Sequence, residues 1–247
     1  LITTPKSVQS GMYLENPDEL IFRYSQFYNL VEFFKPDLKQ VLMIGGAGYS
    51  YPKYFLQNFP SARMDVVEID PGMTKIAQQY FALKPNDRLR IVHQDARVYL
   101  HTAASSSYEA IFGDAFQAYY SLPFQLTTKE AAEDMFRVLT DDGVARINIV
   151  AALEGDKGKF LRAEYATFKT VFKEVYLFPV SSKADATVTQ NYLLIALKKS
   201  LAKPWQSENE KIQTYLDNLW TKAVPLDMPI LTDEFAPVDQ YMMANFR

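Results

Sequence analysis

Cysteine is absent from the 247-residue sequence, and only two histidines, His93 and His101, occur. The lack of cysteine excludes disulfides, thiolate zinc sites, iron–sulfur clusters and a cysteine nucleophile. Two histidines are too few for a histidine-rich metal site, so we expect no bound metal. The 26 basic residues nearly balance the 29 acidic ones without any basic run. That balance argues against nucleic acid as a partner.

Long hydrophobic runs are also missing, because no stretch approaches the ~20 apolar residues that a membrane-spanning helix requires. The segment 29–34 is interrupted by Glu32, and 192–197 has only the length of a strand. We therefore expect a soluble, cytoplasmic protein without a membrane span. The sequence begins at Leu1 and carries no signal-peptide pattern, so we expect a fragment of a longer chain.

Short apolar segments alternate with helix-like segments between residues 41 and 150, which predicts an α/β fold whose mostly parallel sheet is covered on both faces. Two later strands, separated by a polar segment, predict an antiparallel hairpin at the sheet edge. The predicted strands are 41–44, 64–69, 89–92, 110–112, 144–150, 175–179 and 192–197. The predicted helices are 51–59, 72–81, 96–102, 127–139, 157–172 and 208–220.

This pattern divides the chain into three segments. Residues 1–40, rich in Tyr and Phe, are interpreted as an N-terminal arm or the remnant of a small β unit. Residues 41–200 form the predicted nucleoside-binding α/β domain. Residues 201–247 are predicted to supply a C-terminal helix and a tail packed on that domain.

A glycine-rich turn, with Gly45, Gly46 and Gly48, follows the first predicted strand of the sheet. Glycine lets a ligand approach the backbone closely, and the following helix start offers unpaired N–H groups. A tight strand-to-helix connection is the simpler alternative. The position favours a ligand site, because ligands of open α/β sheets bind at the carboxyl ends of the strands. The turn lacks the G-x-G-x-x-G pattern, which argues against a nicotinamide oxidoreductase.

Acidic residues stand at the ends of the next three predicted strands. Glu68 is placed to accept the hydroxyls of a ribose, whereas Asp70 fits a helix cap. Asp95 is a candidate for an adenine N–H, with the backbone at Ala96 reading the ring edge; capping of the next helix is the alternative. Asp114 faces the space where a reacting group would lie. In this order the motifs are typical of nucleoside-binding α/β transferases.

The sequence resembles the spermidine synthase (polyamine aminopropyltransferase) family, especially the spermidine-synthase-like domains of bacterial membrane-fused proteins. The family is built on the Rossmann-like fold of S-adenosylmethionine-dependent methyltransferases, which implies a seven-stranded sheet. The resemblance runs from about residue 8 to residue 197. It rests on residues 8–10, 17–20, 44–48, 67–70, 94–96 and 113–115, and the segment 231–239 resembles tails of the fused relatives.

The resemblance implies roles for single residues. Gln9 and Glu68 would hold the ribose and sulfur side of the nucleoside, Asp95 would hold adenine, and Asp114 would accept the proton of the attacking amine. The implied donor is S-adenosylmethionine or its decarboxylated form, with methylthioadenosine as product and a small-molecule amine as acceptor. A homodimer is the implied assembly.

The sequence departs from the family pattern on the side of the amines. Gly48 stands where the family has an acidic residue, and Gln117 stands where a second carboxylate follows Asp114. Arg23, if it points inward, would repel a polyamine; a solvated helix face is the alternative. The residues after Asp114 are candidates for acceptor binding or, alternatively, for core packing: Phe116, Gln117, Tyr119 and Tyr120.

Three functions therefore stand side by side. Aminopropyl transfer to an amine, with Asp114 as base, is the main hypothesis. Methyl transfer from S-adenosylmethionine is favoured by Gly48 and Gln117. A degenerate nucleoside-binding or interaction domain that has lost catalysis is the third.

Overall fold

A computed structural model describes residues 1–4, 7–115 and 123–246 of the chain. A short antiparallel pair, β1 and β2, precedes a seven-stranded sheet. The strands are β1 (Ile2–Thr4), β2 (Ser7–Val8), β3 (Gln40–Ile44), β4 (Arg63–Glu68), β5 (Leu89–His93), β6 (Tyr108–Gly113), β7 (Leu139–Ala151), β8 (Glu174–Pro179) and β9 (Gln190–Leu197).

Helices connect the strands and cover the sheet. They are α1 (Arg23–Gln26), α2 (Val31–Phe34), α3 (Ser50–Asn58), α4 (Pro71–Tyr80), α5 (Ala96–Thr102), α6 (Lys129–Val138), α7 (Lys159–Lys169), α8 (Glu210–Leu216) and α9 (Val238–Met242). Side chains cap several of them: Asp70 accepts from the N–H of Gly72 at the start of α4, and Thr128 accepts from that of Ala131 in α6. Such caps satisfy N–H groups that the first helical turn leaves unpaired.

The strand order is β5-β4-β3-β6-β7-β9-β8. Strands β3 to β7 pair in parallel, and β9 pairs antiparallel with both β7 and β8. This arrangement confirms the predicted mostly parallel sheet with its antiparallel edge hairpin. The order reverses between β3 and β6, which is the switch point where open α/β sheets bind ligands.

Most element boundaries lie within three residues of the predictions, and two differ by more. Strand β7 begins at Leu139, five positions earlier than predicted, because Leu139 pairs with Tyr108 across a register shift. Helix α8 ends at Leu216 rather than near 220. The N-terminal segment contains the short helices α1 and α2, which lack a long amphipathic pattern and were not predicted.

Two hydrophobic clusters cover the two faces of the sheet. Successive residues of β3 alternate between them, since Leu42 and Ile44 join the cluster under α6 and α7 while Val41 and Met43 join the cluster under α3. This alternation follows from the period of two along a strand.

Residues near both ends of the chain pack into these clusters. Phe27 and Tyr28 from the N-terminal segment, and Ile212 from α8, belong to the cluster under α3, while Val238 from α9 belongs to the other. The three-segment division of the chain stays a prediction. Within the described ranges, no helix has the length and apolar character needed to traverse a lipid bilayer.

Candidate active site

The glycine-rich turn joins β3 to α3 and touches the ends of two neighbouring strands. Gly45 donates its N–H to the carbonyl of Val67 at 2.9 Å, and Asp114 donates its N–H to the carbonyl of Ile44 at 3.0 Å. Gly45 has a φ of +91°, and a Cβ there would lie 3.0 Å from the carbonyl oxygen of Asp114. Glycine is therefore required at this position both by the backbone angle and by the close approach of β6.

Glu68 is buried beneath this turn and is held by three backbone donors. Its Oε2 accepts from the N–H groups of Gly46 at 2.8 Å and Ala47 at 3.1 Å, and its Oε1 accepts from the N–H of Asp70 at 2.9 Å. These bonds to an ionised carboxylate fix its orientation. Because a carboxylate offers about four acceptor positions, capacity remains for a ligand hydroxyl.

Asp95 caps a helix and also lines the cavity, while its role toward adenine stays a prediction. Its Oδ1 caps α5 by accepting from the N–H groups of Arg97 at 2.7 Å and Val98 at 3.4 Å. The amide of Gln125 approaches Oδ2 at 3.5 Å. Gln125 lines the same cavity as Asp95 and Ala96, so the cap also sets a carboxylate oxygen at the cavity wall.

These strand ends surround a cavity of about 610 Å³, a volume typical of small-molecule sites. Seven of the residues predicted for the site line it: Gln9, Gly45, Gly46, Glu68, Asp95, Ala96 and Asp114. Gly48 does not line the cavity, because its N–H turns away to the hydroxyl of Ser10 at 2.8 Å. The predicted acceptor residues Phe116, Gln117, Tyr119 and Tyr120 lie outside the described residues.

Asp114 stands at the end of β6 with polar groups on both carboxylate oxygens. Asn148 donates its amide to Oδ1 at 3.1 Å, and the hydroxyl of Tyr24 lies 3.5 Å from Oδ2. Asn191 on β9 donates to the amide oxygen of Asn148 at 3.0 Å and so fixes that side chain. Sequence reasoning missed Asn148, although its place near the end of β7, beside β6, was available as a signal.

A buried arginine lies beside this carboxylate. Arg146 on β7 is 2% exposed, and its guanidinium carbon lies 3.6 Å from the ring centroid of Tyr28 and 4.3 Å from that of Phe112. Burial lowers the pKa of Arg146 to about 10, while Tyr51, Tyr28 and Asp114 counter that shift. The group is therefore a cation at neutral pH.

Burial and the nearby charge of Asp114 also act on Tyr28, whose pKa they raise well above its ordinary value. Tyr28 is thus a neutral phenol between Arg146 and the carboxylate. Arg23 was considered as a cation that would repel a polyamine. Its side chain is exposed, and its guanidinium carbon lies 5.9 Å from the ring centroid of Phe27. The inward orientation considered for Arg23 is wrong, and the cation near Asp114 is Arg146.

Within the described part of the chain, no group of three or more His, Asp or Glu side chains is placed to hold a metal ion. Four acidic residues line the cavity instead, namely Asp70, Asp95, Glu68 under the turn and Asp114 at the end of β6, and the last two differ in how they are held. One is locked by backbone donors, and the other is held by side chains. This pair can grip a polar ligand on one side and take a proton on the other.

No family model matches the chain. A polyamine aminopropyltransferase of Vibrio vulnificus is 30% identical over 245 residues, covering 94% of this chain and 80% of the relative. A probable spermidine synthase from Corynebacterium glutamicum superposes with a TM-score of 0.70 at 21% identity, over 81% of this chain and 72% of that one.

A second solved structure, a spermidine synthase in complex with the transition-state analogue AdoDATO, has a TM-score of 0.62 at 19% identity. It covers 78% of this chain and 71% of that chain. The two structures support the fold, and the Vibrio relative supports the family over nearly the full length of the chain. The chain belongs to the polyamine aminopropyltransferase (spermidine synthase) family.

Proposed function

We propose that this protein transfers an aminopropyl group from decarboxylated S-adenosylmethionine to an amine acceptor and releases methylthioadenosine. The observation that carries the proposal is that Glu68 and Asp114 line one cavity from two different strand ends. The family membership and the printed name of the Vibrio relative support the same reaction.

The donor would lie along the carboxyl ends of β3, β4 and β5. Glu68, pinned by three backbone N–H groups, faces the position of the ribose, and its remaining acceptor capacity suits a vicinal diol. Asp95 and the backbone at Ala96 would hold adenine, and Gln9, which also lines the cavity, would contact the ribose and sulfur side of the nucleoside. The roles of these residues are part of the proposal.

The chemical step needs a base and alignment. The amine nitrogen attacks the carbon attached to the sulfonium, a C–N bond forms, and the C–S bond breaks with both electrons going to sulfur. The nitrogen then carries an extra proton, which Asp114 is placed to accept. Asn148 and Tyr24 hold the carboxylate in one orientation, which favours in-line attack.

Product analysis by mass spectrometry tests the proposal. The protein is incubated with decarboxylated S-adenosylmethionine and a panel of monoamines, putrescine, cadaverine and spermidine. We expect methylthioadenosine and one aminopropylated amine in equal amounts. In a parallel reaction with S-adenosylmethionine, a methylated product would instead favour the methyltransferase alternative. Binding of either nucleoside without any product would favour a non-catalytic domain.

Asp114→Asn and Asp142→Asn form a matched pair for this assay. Asp142 lies on the surface in an ion pair with Lys35, so its replacement leaves the cavity unchanged. We expect Asp114→Asn to lower turnover by about 10²- to 10⁴-fold, the usual contribution of a general base. Equal activity of the two variants would remove Asp114 from the chemical step.

A further inference from the structure

A turn of the C-terminal tail, residues 231–235, is anchored on the helices α6 and α7. Leu231 is buried, and its N–H donates to the hydroxyl of Thr167 on α7 at 2.9 Å. The carbonyl of Leu231 accepts from the N–H of Lys129, in the first turn of α6, at 2.8 Å. These contacts fix the backbone of the tail turn beside the start of α6.

Asp233 lies in this tail turn, and both of its carboxylate oxygens accept hydrogen bonds. Oδ1 accepts from the hydroxyl of Thr128 at 2.6 Å, and Oδ2 accepts from the guanidinium of Arg97 at 2.9 Å. The N–H of Asp233 donates to the carboxylate of Glu130 at 3.0 Å. Because Thr128 caps α6 and Arg97 belongs to the first turn of α5, Asp233 joins the starts of two helices.

Arg97 connects these contacts to the cavity. Its guanidinium bridges Asp233 and Asp134 on α6, each at 2.9 Å, and its side chain is only 19% exposed. A guanidinium held on two sides and shielded from solvent keeps one geometry, unlike a single exposed ion pair. Asp134 also pairs with Arg137 at 3.2 Å, so its place does not depend on Arg97 alone. The backbone N–H of Arg97 donates to Oδ1 of Asp95 at 2.7 Å.

The two helix starts that Asp233 joins both adjoin the cavity. Asp95 and Ala96, at the start of α5, line the cavity, and so does the segment 123–126 before α6. The amide nitrogen of Gln125 in that segment lies 3.5 Å from Oδ2 of Asp95. A planar base bound between these two walls is therefore sensitive to the distance between them.

We propose that Asp233 and Arg97 are positioning residues for the nucleoside, and that the tail turn, through this pair, holds Asp95 where it accepts the 6-amino group of adenine. The inference rests on the proposed function and adds a contribution of the C-terminal tail to base specificity. Neither residue of the pair is among the described residues that line the cavity. The pair therefore acts through Asp95 and not by touching the ligand.

The test compares the binding of methylthioadenosine and methylthioinosine by isothermal titration. The two nucleosides differ at position 6 of the base, where inosine carries a carbonyl oxygen that a carboxylate repels. For the unaltered protein, we expect methylthioadenosine to bind more tightly by about tenfold or more, because the analogue leaves the carboxylate unpaired. Asp233→Ala should weaken binding of methylthioadenosine by about fivefold, the effect of a side chain that does not touch the ligand. Binding of methylthioinosine should change little.

Further variants separate positioning from stability, and thermal melting verifies that each one is folded. Glu234→Ala removes the neighbouring exposed carboxylate of the same turn and should leave both affinities unchanged. Arg97→Met should reproduce Asp233→Ala, and the double variant should lose little more, because both changes remove the same contact. Asp233→Asn keeps an acceptor for Thr128 and gives the same comparison should Asp233→Ala fail to fold.

The outcomes distinguish this inference from the proposed function. If Asp233→Ala weakens both nucleosides equally, or weakens neither, the tail turn is structural and the inference is wrong, although the nucleoside site stands. Additive losses in the double variant would also overturn it, because the two residues would then act separately. If the unaltered protein binds neither nucleoside, the proposed function fails and the inference fails with it.

Discussion

Two arginines are buried in the part of the chain that the structure describes, Arg146 and Arg162, and their surroundings differ. Arg162 on α7 donates from Nη1 to the carbonyl oxygens of Leu153 at 2.8 Å and Gly155 at 3.0 Å, and from Nε to Asp227 at 2.7 Å. Arg146 on β7 is buried at least as deeply, yet it donates no hydrogen bond within the described ranges.

The two arginines therefore contribute differently to the stability of the fold. Arg162 ties the loop after β7 to α7 and to the segment near Asp227, so its charge stabilises the fold. Arg146 meets only aromatic faces and the field of Asp114, so its burial costs the fold free energy. The hydrogen bonds of Arg162 compensate for its burial, whereas the aromatic rings around Arg146 replace only part of its lost hydration.

Removing the paired arginine should give the largest loss of stability. Arg162→Met leaves the buried carbonyl oxygen of Leu153 without its donor, which costs about 1–3 kcal/mol, and also removes the bonds to Gly155 and Asp227. We expect the free energy of unfolding to fall by about 3 kcal/mol, as measured by urea denaturation. A fall below about 1 kcal/mol would contradict the contrast between the two arginines, because the hydrogen bonds of Arg162 would then contribute little to stability.

Glu164 on α7 sharpens the comparison, because it is a buried ionisable group with neither a hydrogen bond nor a balancing charge within the described ranges. Burial raises the pKa of Glu164 well above its ordinary value of 4.5. The carboxyl therefore stays neutral in the folded protein while it ionises in the unfolded chain. Its stabilising effect is complete below the ordinary pKa and is lost as the pH rises toward the folded value.

Glu164→Gln removes this titration with little change of shape. At pH 4 we expect the variant and the parent to have similar stability. Above pH 5 the variant should gain up to about 1.4 kcal/mol per pH unit over the parent until the pH reaches the raised pKa of the folded protein. Urea denaturation at each pH measures the difference, and parallel pH profiles would show that Glu164 is not neutral in the fold.

Arg146→Met should give the smallest effect on stability and the opposite sign. Replacing a buried, unpaired charge by an apolar side chain of similar volume removes a desolvation cost, and the loss of the cation–aromatic contacts offsets part of the gain. We expect the free energy of unfolding to rise by about 1 kcal/mol. A loss as large as that of Arg162→Met would show that Arg146 serves the fold.

The sheet and its connections could be predicted from the sequence, because hydrophobic residues recur with different spacings in buried strands and in amphipathic helices. The cavity residues followed because ligands bind at the carboxyl ends of parallel strands. The three hydrogen bonds that Glu68 accepts from backbone N–H groups could not be predicted, because they depend on the rotamer of this one side chain under the turn.

Arg146 was missed for a different reason. In an apolar strand, a charged residue reads as a position facing solvent, because buried charges are rare. Only the placement of Tyr28, from the N-terminal segment, over β7 closes the aromatic cage around it. Contacts between residues so distant in sequence are set by tertiary packing.

The most direct test concerns the separate roles proposed for Glu68, which binds the nucleoside, and Asp114, which acts as the base. Isothermal titration with methylthioadenosine is carried out on the parent, Glu68→Ala and Asp114→Asn, with thermal melting to verify that each variant is folded. Loss of two charge-assisted hydrogen bonds should weaken binding to Glu68→Ala by about 100-fold or more, while Asp114→Asn binds like the parent. Equal losses in both variants, or none in Glu68→Ala, would contradict the account.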